Sequence, residues 1–304
     1  MSVNKLFLSV GAMKAGTTFL FNALSRHPDL HFTPEKELHY FAHIAGLSSE
    51  LSRPLRPRRD VPHTSVGAGQ ILTHDFRRHR LATVMRNRYA RVNDAAKVRD
   101  ITSWYAERYL IDPIDQAWFK GAFETPAGSP GDKWCCEFSN YNALLSEAGW
   151  AAVRRHCAEL RVMYVMREPV ERLWSHIKFE FLPAGKRQAL IDGDLDEIDR
   201  FLASHSSAHA RYTSITESLQ RNLAPQERFI VKLEDILADL PGQLGKLSDF
   251  LGIARIDFAG VNPARKSNVT EALPIPPHVL ERLRSALAPE LTFYETAGAA
   301  LART

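Results

Sequence analysis

The 304-residue chain has little cysteine: only Cys135, Cys136 and Cys157. An odd count with one adjacent pair makes no disulfide framework, and no spacing among them suggests zinc. A reducing, cytoplasmic setting is therefore expected. Long hydrophobic runs are missing too, none approaching the ~18 residues of a membrane span. The amino terminus has one lysine and a short apolar run without a small-residue cleavage site, which argues against a signal peptide. Internal repeats and low-complexity tracts are absent. What remains, 45% apolar and 24% charged residues, is the composition of a globular protein with ample material for a core.

Charge of one sign is locally scarce. The net charge is +4, yet Arg53 to Arg91 holds ten arginines, no lysine and only two acids, Asp60 and Asp75. That stretch carries +8 and the remainder −4. Such asymmetry points to an acidic partner or to a solvated helix face. Pro54, Pro57 and Pro62 mark a loop within it. Phe76, Val84, Met85 and Val92 recur at helical intervals, so the stretch reads as an insertion, approximately 45–132, carrying an amphipathic helix.

Elsewhere short apolar runs alternate with helical patterns. Lys5 to Val10, Leu30 to Phe32, Trp134 to Phe138, Leu160 to Met166 and Arg228 to Val231 read as strands. Thr17 to Arg26, Tyr141 to Cys157, Pro169 to Phe181, Phe201 to Leu223, Gly242 to Leu251 and a last stretch from about Pro277 to Leu287 read as helices. This alternation predicts an α/β fold with a parallel sheet and helices on both faces, one domain over 1–304 with the single insertion.

The chemistry starts in LSVGAMKAGTTFLF, residues 8–21. A glycine-bearing turn between a strand and a helix offers backbone N–H groups at the positive end of the helix dipole, which is an anion site. Lys14 adds a mobile charge, and Thr17 and Thr18 add hydroxyls. The lysine is displaced, however. A nucleotide-triphosphate loop puts it directly after the last glycine, ahead of Ser or Thr, whereas Lys14 precedes Gly16 by two residues. A second turn follows the fourth predicted strand in VMYVMREPVERLWSHI, residues 162–177. There Arg167 leaves the strand, Pro169 opens the helix, and Ser175 lies two helical turns on.

These residues resemble the family of sulfotransferases that use 3′-phosphoadenosine 5′-phosphosulfate (PAPS). Lys-Ala-Gly-Thr-Thr-Phe-Leu at 14–20 is similar to their 5′-phosphosulfate loop, and Arg-Glu-Pro-Val-Glu-Arg-Leu-Trp-Ser-His at 167–176 to their 3′-phosphate motif. The stretch 229–253 and the NPARKSN loop at 262–268 are similar to the family's C-terminal part. The resemblance implies a three-layer P-loop-like fold with PAPS as donor and no metal. It assigns Lys14, Ala15, Gly16, Thr17 and Thr18 to the 5′-phosphosulfate, Arg167 and Ser175 to the 3′-phosphate, and Arg265 and Lys266 to the closing loop. It also explains the displaced lysine, which would reach the bridging oxygen where charge develops as the bond breaks.

PEKELHYF at 34–41 resembles the Glu-x-His-Phe-Phe segment of carbohydrate sulfotransferases, with Tyr40 in place of the first Phe. In an extended segment residues 35, 37 and 39 share a side. The resemblance makes Glu37 the base, His39 the alternative, and Lys36 an assistant near sulfate or acceptor. Glu137 and Ser139 in DKWCCEFSNYN, 132–142, match a family segment near the acceptor, though Tyr141 falls early. The implied acceptor hydroxyl (or amine) belongs to a carbohydrate, glycolipid or other small metabolite, and the arginine-rich stretch could gather an anionic one or form a solvated lid. No specific nucleic acid is implied. Competing readings are a metal-dependent small-molecule kinase, which would need a Walker-type Lys-Ser/Thr pair, and a non-catalytic nucleotide- or polyanion-binding protein.

Overall fold

The computed structural model describes residues 3–47, 72–86, 94–256 and 271–301. Five strands, β1 (Val3–Ser9), β2 (Leu30–Phe32), β3 (Trp134–Glu137), β4 (Cys157–Met166) and β5 (Arg228–Lys232), form one sheet in the order β2-β3-β1-β4-β5. It is the parallel sheet flanked by helices that the alternating pattern predicts. Leu6, Phe7 and Leu8 of β1 and Tyr164, Val165 and Met166 of β4 are wholly buried. Continuous apolar runs suit strands covered on both faces. Lys5 faces Trp134 and Leu8 faces Glu137 in register, while Val162 faces Arg228 and Met166 faces Lys232.

Two compact units divide the chain, Met1–Leu8 with Ser25–Leu160, and Ser9–Leu24 with Arg161–Thr304. In the first, Tyr40 and Phe119 stack at 4.7 Å, and the Tyr40 hydroxyl and His156 Nε2 lie 2.9 Å apart in a hydrogen bond. The expected helix from Tyr141 to Cys157 is broken there. A 3₁₀ turn, Asn140–Leu144, precedes the helix Glu147–Arg154 because Ser146 accepts the Gly149 N–H at 3.3 Å and starts a new helix.

In the second unit the helix Pro169–Phe181 has the predicted bounds. Glu168 caps it by accepting the Glu171 N–H at 2.6 Å. Val170, Leu173, Trp174, Ile177 and Phe181 bury one face against Leu190, Ile198, Phe201, Val279 and Leu283. Each such side chain removed from water is worth about 1.5–3 kcal/mol. The opposite stripe, Glu171 and Phe179 with half-buried Ser175 between them, is left for other contacts. Gly252, in the left-handed region at φ 62°, ends the helix Leu240–Leu251. A further helix, Ala288–Leu301, follows the expected Pro277–Ala286. No helix among the described residues is long and apolar enough to cross a membrane.

Candidate active site

After β1 the chain turns through Gly11–Gly16 into the helix Thr17–Leu24. Val10 and Ala12 donate to the carbonyls of Met163 and Val165 at 3.0 and 2.7 Å, which keeps the turn's first half on β4. Ala15, expected to offer its amide to an anion, instead donates to the Ala12 carbonyl at 3.1 Å and closes the turn. The first intrahelical bond runs from Leu20 to the Gly16 carbonyl, so the amides available to an anion are those of the first helical turn. Gly16 sits at φ 81°, and a Cβ there would come within 2.7 Å of Leu233 Cδ1. Glycine therefore suits that position by its left-handed conformation, and a Cβ would also push aside the end of the Leu233 side chain. Lys14 is also left-handed, at φ 69°, and its Nζ lies 4.6 Å from the centre of the Phe179 ring.

The second expected anion site belongs to the same unit. Arg167 Nη1 donates to the Lys14 carbonyl at 3.4 Å, and Nη2 pairs with Glu171 Oε2 at 3.2 Å. The Tyr212 hydroxyl donates to the Arg167 carbonyl at 2.7 Å and is 3.2 Å from the Arg167 amide nitrogen. The Arg167–Glu171 pair is a solvent-facing i,i+4 contact with Glu171 57% exposed. Such pairs are worth little, so an incoming phosphate can replace it. Lys14, Arg167 and the helix that carries Ser175 thus come together.

In the other unit, the segment after β2 is pinned along β3. Phe138 donates to the Lys36 carbonyl, Leu38 to Glu137 Oε1 at 3.1 Å, and His39 to Ser139 Oγ at 2.9 Å. Glu137 and Ser139, assigned by resemblance to the acceptor's surroundings, are wholly buried. They are hydrogen-bonded to each other, and Asn142 donates to Glu137 Oε2 at 2.8 Å. Burial pushes the Glu137 carboxyl up to about 7, against the donors from Ser139, Leu38 and His39.

Glu37 faces Lys36 Nζ at 2.9 Å, Asn140 Nδ2 at 3.3 Å and His39 Nε2 at 3.5 Å. Burial alone would raise its pKa, but the charges of Lys36, His39 and Arg80 outweigh it and hold the carboxyl at about 2. His39 is at φ 57° and buried; desolvation lowers its imidazole to about 4 despite Glu37. Its Nδ1 has no partner among the described residues. Of the described non-glycine residues, Lys14 and His39 alone have positive φ.

The pattern common to sulfotransferases matches residues 7–257, more than three-quarters of the chain. The chain belongs to the sulfotransferase family. Among solved structures it is similar to a sulfotransferase from Alicyclobacillus acidocaldarius, with TM-score 0.53 and 15% identity over 97% of this chain and 96% of that one. It also matches the sulfotransferase domain of the Synechococcus PCC 7002 olefin synthase, with TM-score 0.47 and 16% identity over 93% and 88% of the two chains. A sulfotransferase of Mycobacterium avium gives TM-score 0.48 and 15% identity over 96% and 77%. No curated protein matches the chain in sequence. The fold is thus the P-loop-like α/β fold that the motifs imply, and the protein is a sulfotransferase enzyme.

Several residues around this sulfotransferase's candidate site escape sequence reasoning. The helix His74–Val84 lies in the arginine-rich stretch, but its arginines are not all solvated. Arg77 is buried and donates to the carbonyls of Leu72, Tyr109 and Ile111 and to Asp112. Arg80 pairs with the wholly buried Glu35, which also accepts the Tyr105 hydroxyl at 3.0 Å. Glu35 Oε1 in turn lies 3.4 Å from the Glu37 amide nitrogen. The available signal was the spacing of Arg77 and Arg80, three residues apart beside Val84 on one helical face. Arg265 and Lys266 lie outside the described residues, as do Arg53 to Arg59 and Arg88 to Arg91.

Proposed function

We propose that this sulfotransferase moves the sulfuryl group of PAPS to the hydroxyl, or amine, of a carbohydrate, glycolipid or other small metabolite. The observation that carries this reading is the Arg167 contact with the Lys14 carbonyl. It sets the Lys14 loop beside the arginine that follows β4 in one unit, which supports a pair of anion sites for a nucleotide phosphorylated at both its 5′ and 3′ positions. A kinase has no use for the second site, and the loop lacks its Lys-Ser/Thr pair.

In the proposed reaction the acceptor oxygen attacks sulfur in line with the bond to the 5′-phosphate. As the new O–S bond forms, the old one breaks, and its electron pair stays on the phosphate oxygen of the departing 3′-phosphoadenosine 5′-phosphate. Lys14 and the amides of the first helical turn, with Thr17 and Thr18, stabilise that oxygen. Arg167 and Ser175 hold the 3′-phosphate, with Arg265 and Lys266 closing over the nucleotide. Glu37 accepts the acceptor's proton and Lys36 assists. A carboxyl held at about 2 is ionised at every working pH but is a weak base. The proton therefore passes late, once bond formation has made the acceptor oxygen acidic. His39 is the alternative acceptor of that proton. Glu137 and Ser139 serve by holding the Leu38 and His39 backbone in place.

Calorimetric titration with 3′-phosphoadenosine 5′-phosphate beside ATP–Mg²⁺ tests the donor. Binding of the first and not the second is expected, followed by label transfer from PAPS in an acceptor screen. Equal binding of the two, or none of the first, would remove the donor assignment.

A further inference from the structure

Arg172 is wholly buried on the helix Pro169–Phe181, five residues after Arg167. Its Nη1 donates to the Met13 carbonyl at 3.3 Å, one residue before Lys14. Nε and Nη2 have no hydrogen-bond partner among the described residues. The titratable groups that act most on it are Tyr212, Tyr164 and Arg167, and it acts in turn on His176, with no carboxylate among the four. A guanidinium out of water is costly unless an anion compensates it, and buried charges are ordinarily paired. Here the charge is lodged against the Met13 carbonyl, in the loop that leads into the helix Thr17–Leu24 and within the same compact unit. The Arg167 carboxylate partner, Glu171, is 57% exposed and faces solvent.

Resting on the PAPS reading above, we propose that Arg172 is a positioning residue whose buried charge is the standing countercharge of the 5′-phosphate. It acts through the Met13 segment from the protein side of the loop, while Lys14 acts from the ligand side. Without nucleotide the charge is a burden on the fold. With nucleotide it is compensated, so donor binding and stability are linked through this side chain. Attraction of this kind is weakly screened, because salt screens buried charges far less than exposed ones.

The test is titration of wild type, Arg172→Met and Arg172→Lys with 3′-phosphoadenosine 5′-phosphate, with thermal unfolding of each in the ligand's presence and absence. Arg172→Met should bind at least about tenfold more weakly, yet unfold without ligand at a temperature no lower than wild type. Arg172→Lys, which keeps the charge, should bind within about fivefold of wild type. A merely structural arginine predicts the reverse: a lower ligand-free melting temperature for Arg172→Met with affinity unchanged. That result would overturn the inference, as would Arg172→Lys binding as weakly as Arg172→Met. Should Arg172→Met fail to fold, the Lys variant's affinity alone decides. Failure of wild type to bind would sink the donor assignment first and this inference with it, and the wild-type arm makes that case recognisable.

Discussion

Lys14 and His39 share an uncommon property. Each holds a left-handed backbone without being glycine, a conformation that costs roughly 1–2 kcal/mol for an ordinary side chain. Such outliers persist where surrounding structure over-determines them, and they cluster at working sites. Both are residues that motif resemblance had singled out, and backbone geometry marks them independently. For the base, Glu37→Gln should lower turnover by about 10²–10⁴-fold while leaving affinity for 3′-phosphoadenosine 5′-phosphate unchanged. Steady-state kinetics beside calorimetry separates the two, and a normal rate would transfer the role to His39. The places of Lys14 and Gly16 after β1, Glu37 after β2 and Arg167 after β4 were legible, because pattern reveals position relative to a strand end. Arg172 and Glu35 were not. Their significance lies in burial and in partners made or missing, and neither leaves a trace in spacing.

The arginine-rich helix shows how an element can be recognised while the side its arginines take stays hidden. Its periodicity was plain, and His74–Val84 is a helix, but charge density suggested a solvated or anion-gathering face. Arg78 and Arg86 are exposed, whereas Arg77 and Arg80 turn inward. Charge counts do not tell which side of a helix an arginine occupies; the position of Val84 and the partner Glu35 do. Arg80 is the countercharge of a carboxylate with no exposure. Arg80→Gln should therefore destabilise the protein by about 3–5 kcal/mol, and the Arg80→Gln/Glu35→Gln double variant should recover a large part of it. Denaturant unfolding of the cycle reads the coupling, and additive losses would show that the pair contributes nothing jointly. The broken helix at Leu145 carries the same lesson. Ser146 looked like a polar residue within a helical run until its cap to Gly149 made it a beginning.

Across the whole molecule, the buried titratable groups bend the stability curve in opposing directions. His39 falls from 6.5 unfolded to about 4 folded, so its contribution is intact above pH 6.5 and is lost as pH falls through 4. Glu137 rises from 4.5 to about 7, so its contribution is intact below pH 4.5 and is lost as pH rises through 7. Between pH 4.5 and 6.5 the two oppose each other. His39→Asn, which tolerates the left-handed backbone, should make acidification across that window stabilising. Urea unfolding at pH 5, 6 and 7 checks this, and a variant with the wild-type pH dependence would disprove the assignment. The division into two units bears on ancestry and engineering. Lys14, Arg167, Arg172 and Ser175 all belong to Ser9–Leu24 and Arg161–Thr304, while Lys36, Glu37 and His39 belong to Ser25–Leu160. With the roles proposed above, lineages would exchange acceptors by drift in the one without retuning the other. On the PAPS reading proposed above, a mutant library confined to residues 25–160 would keep a constant handle, every folded clone being retained on a bisphosphonucleotide resin whatever it has learned to sulfate.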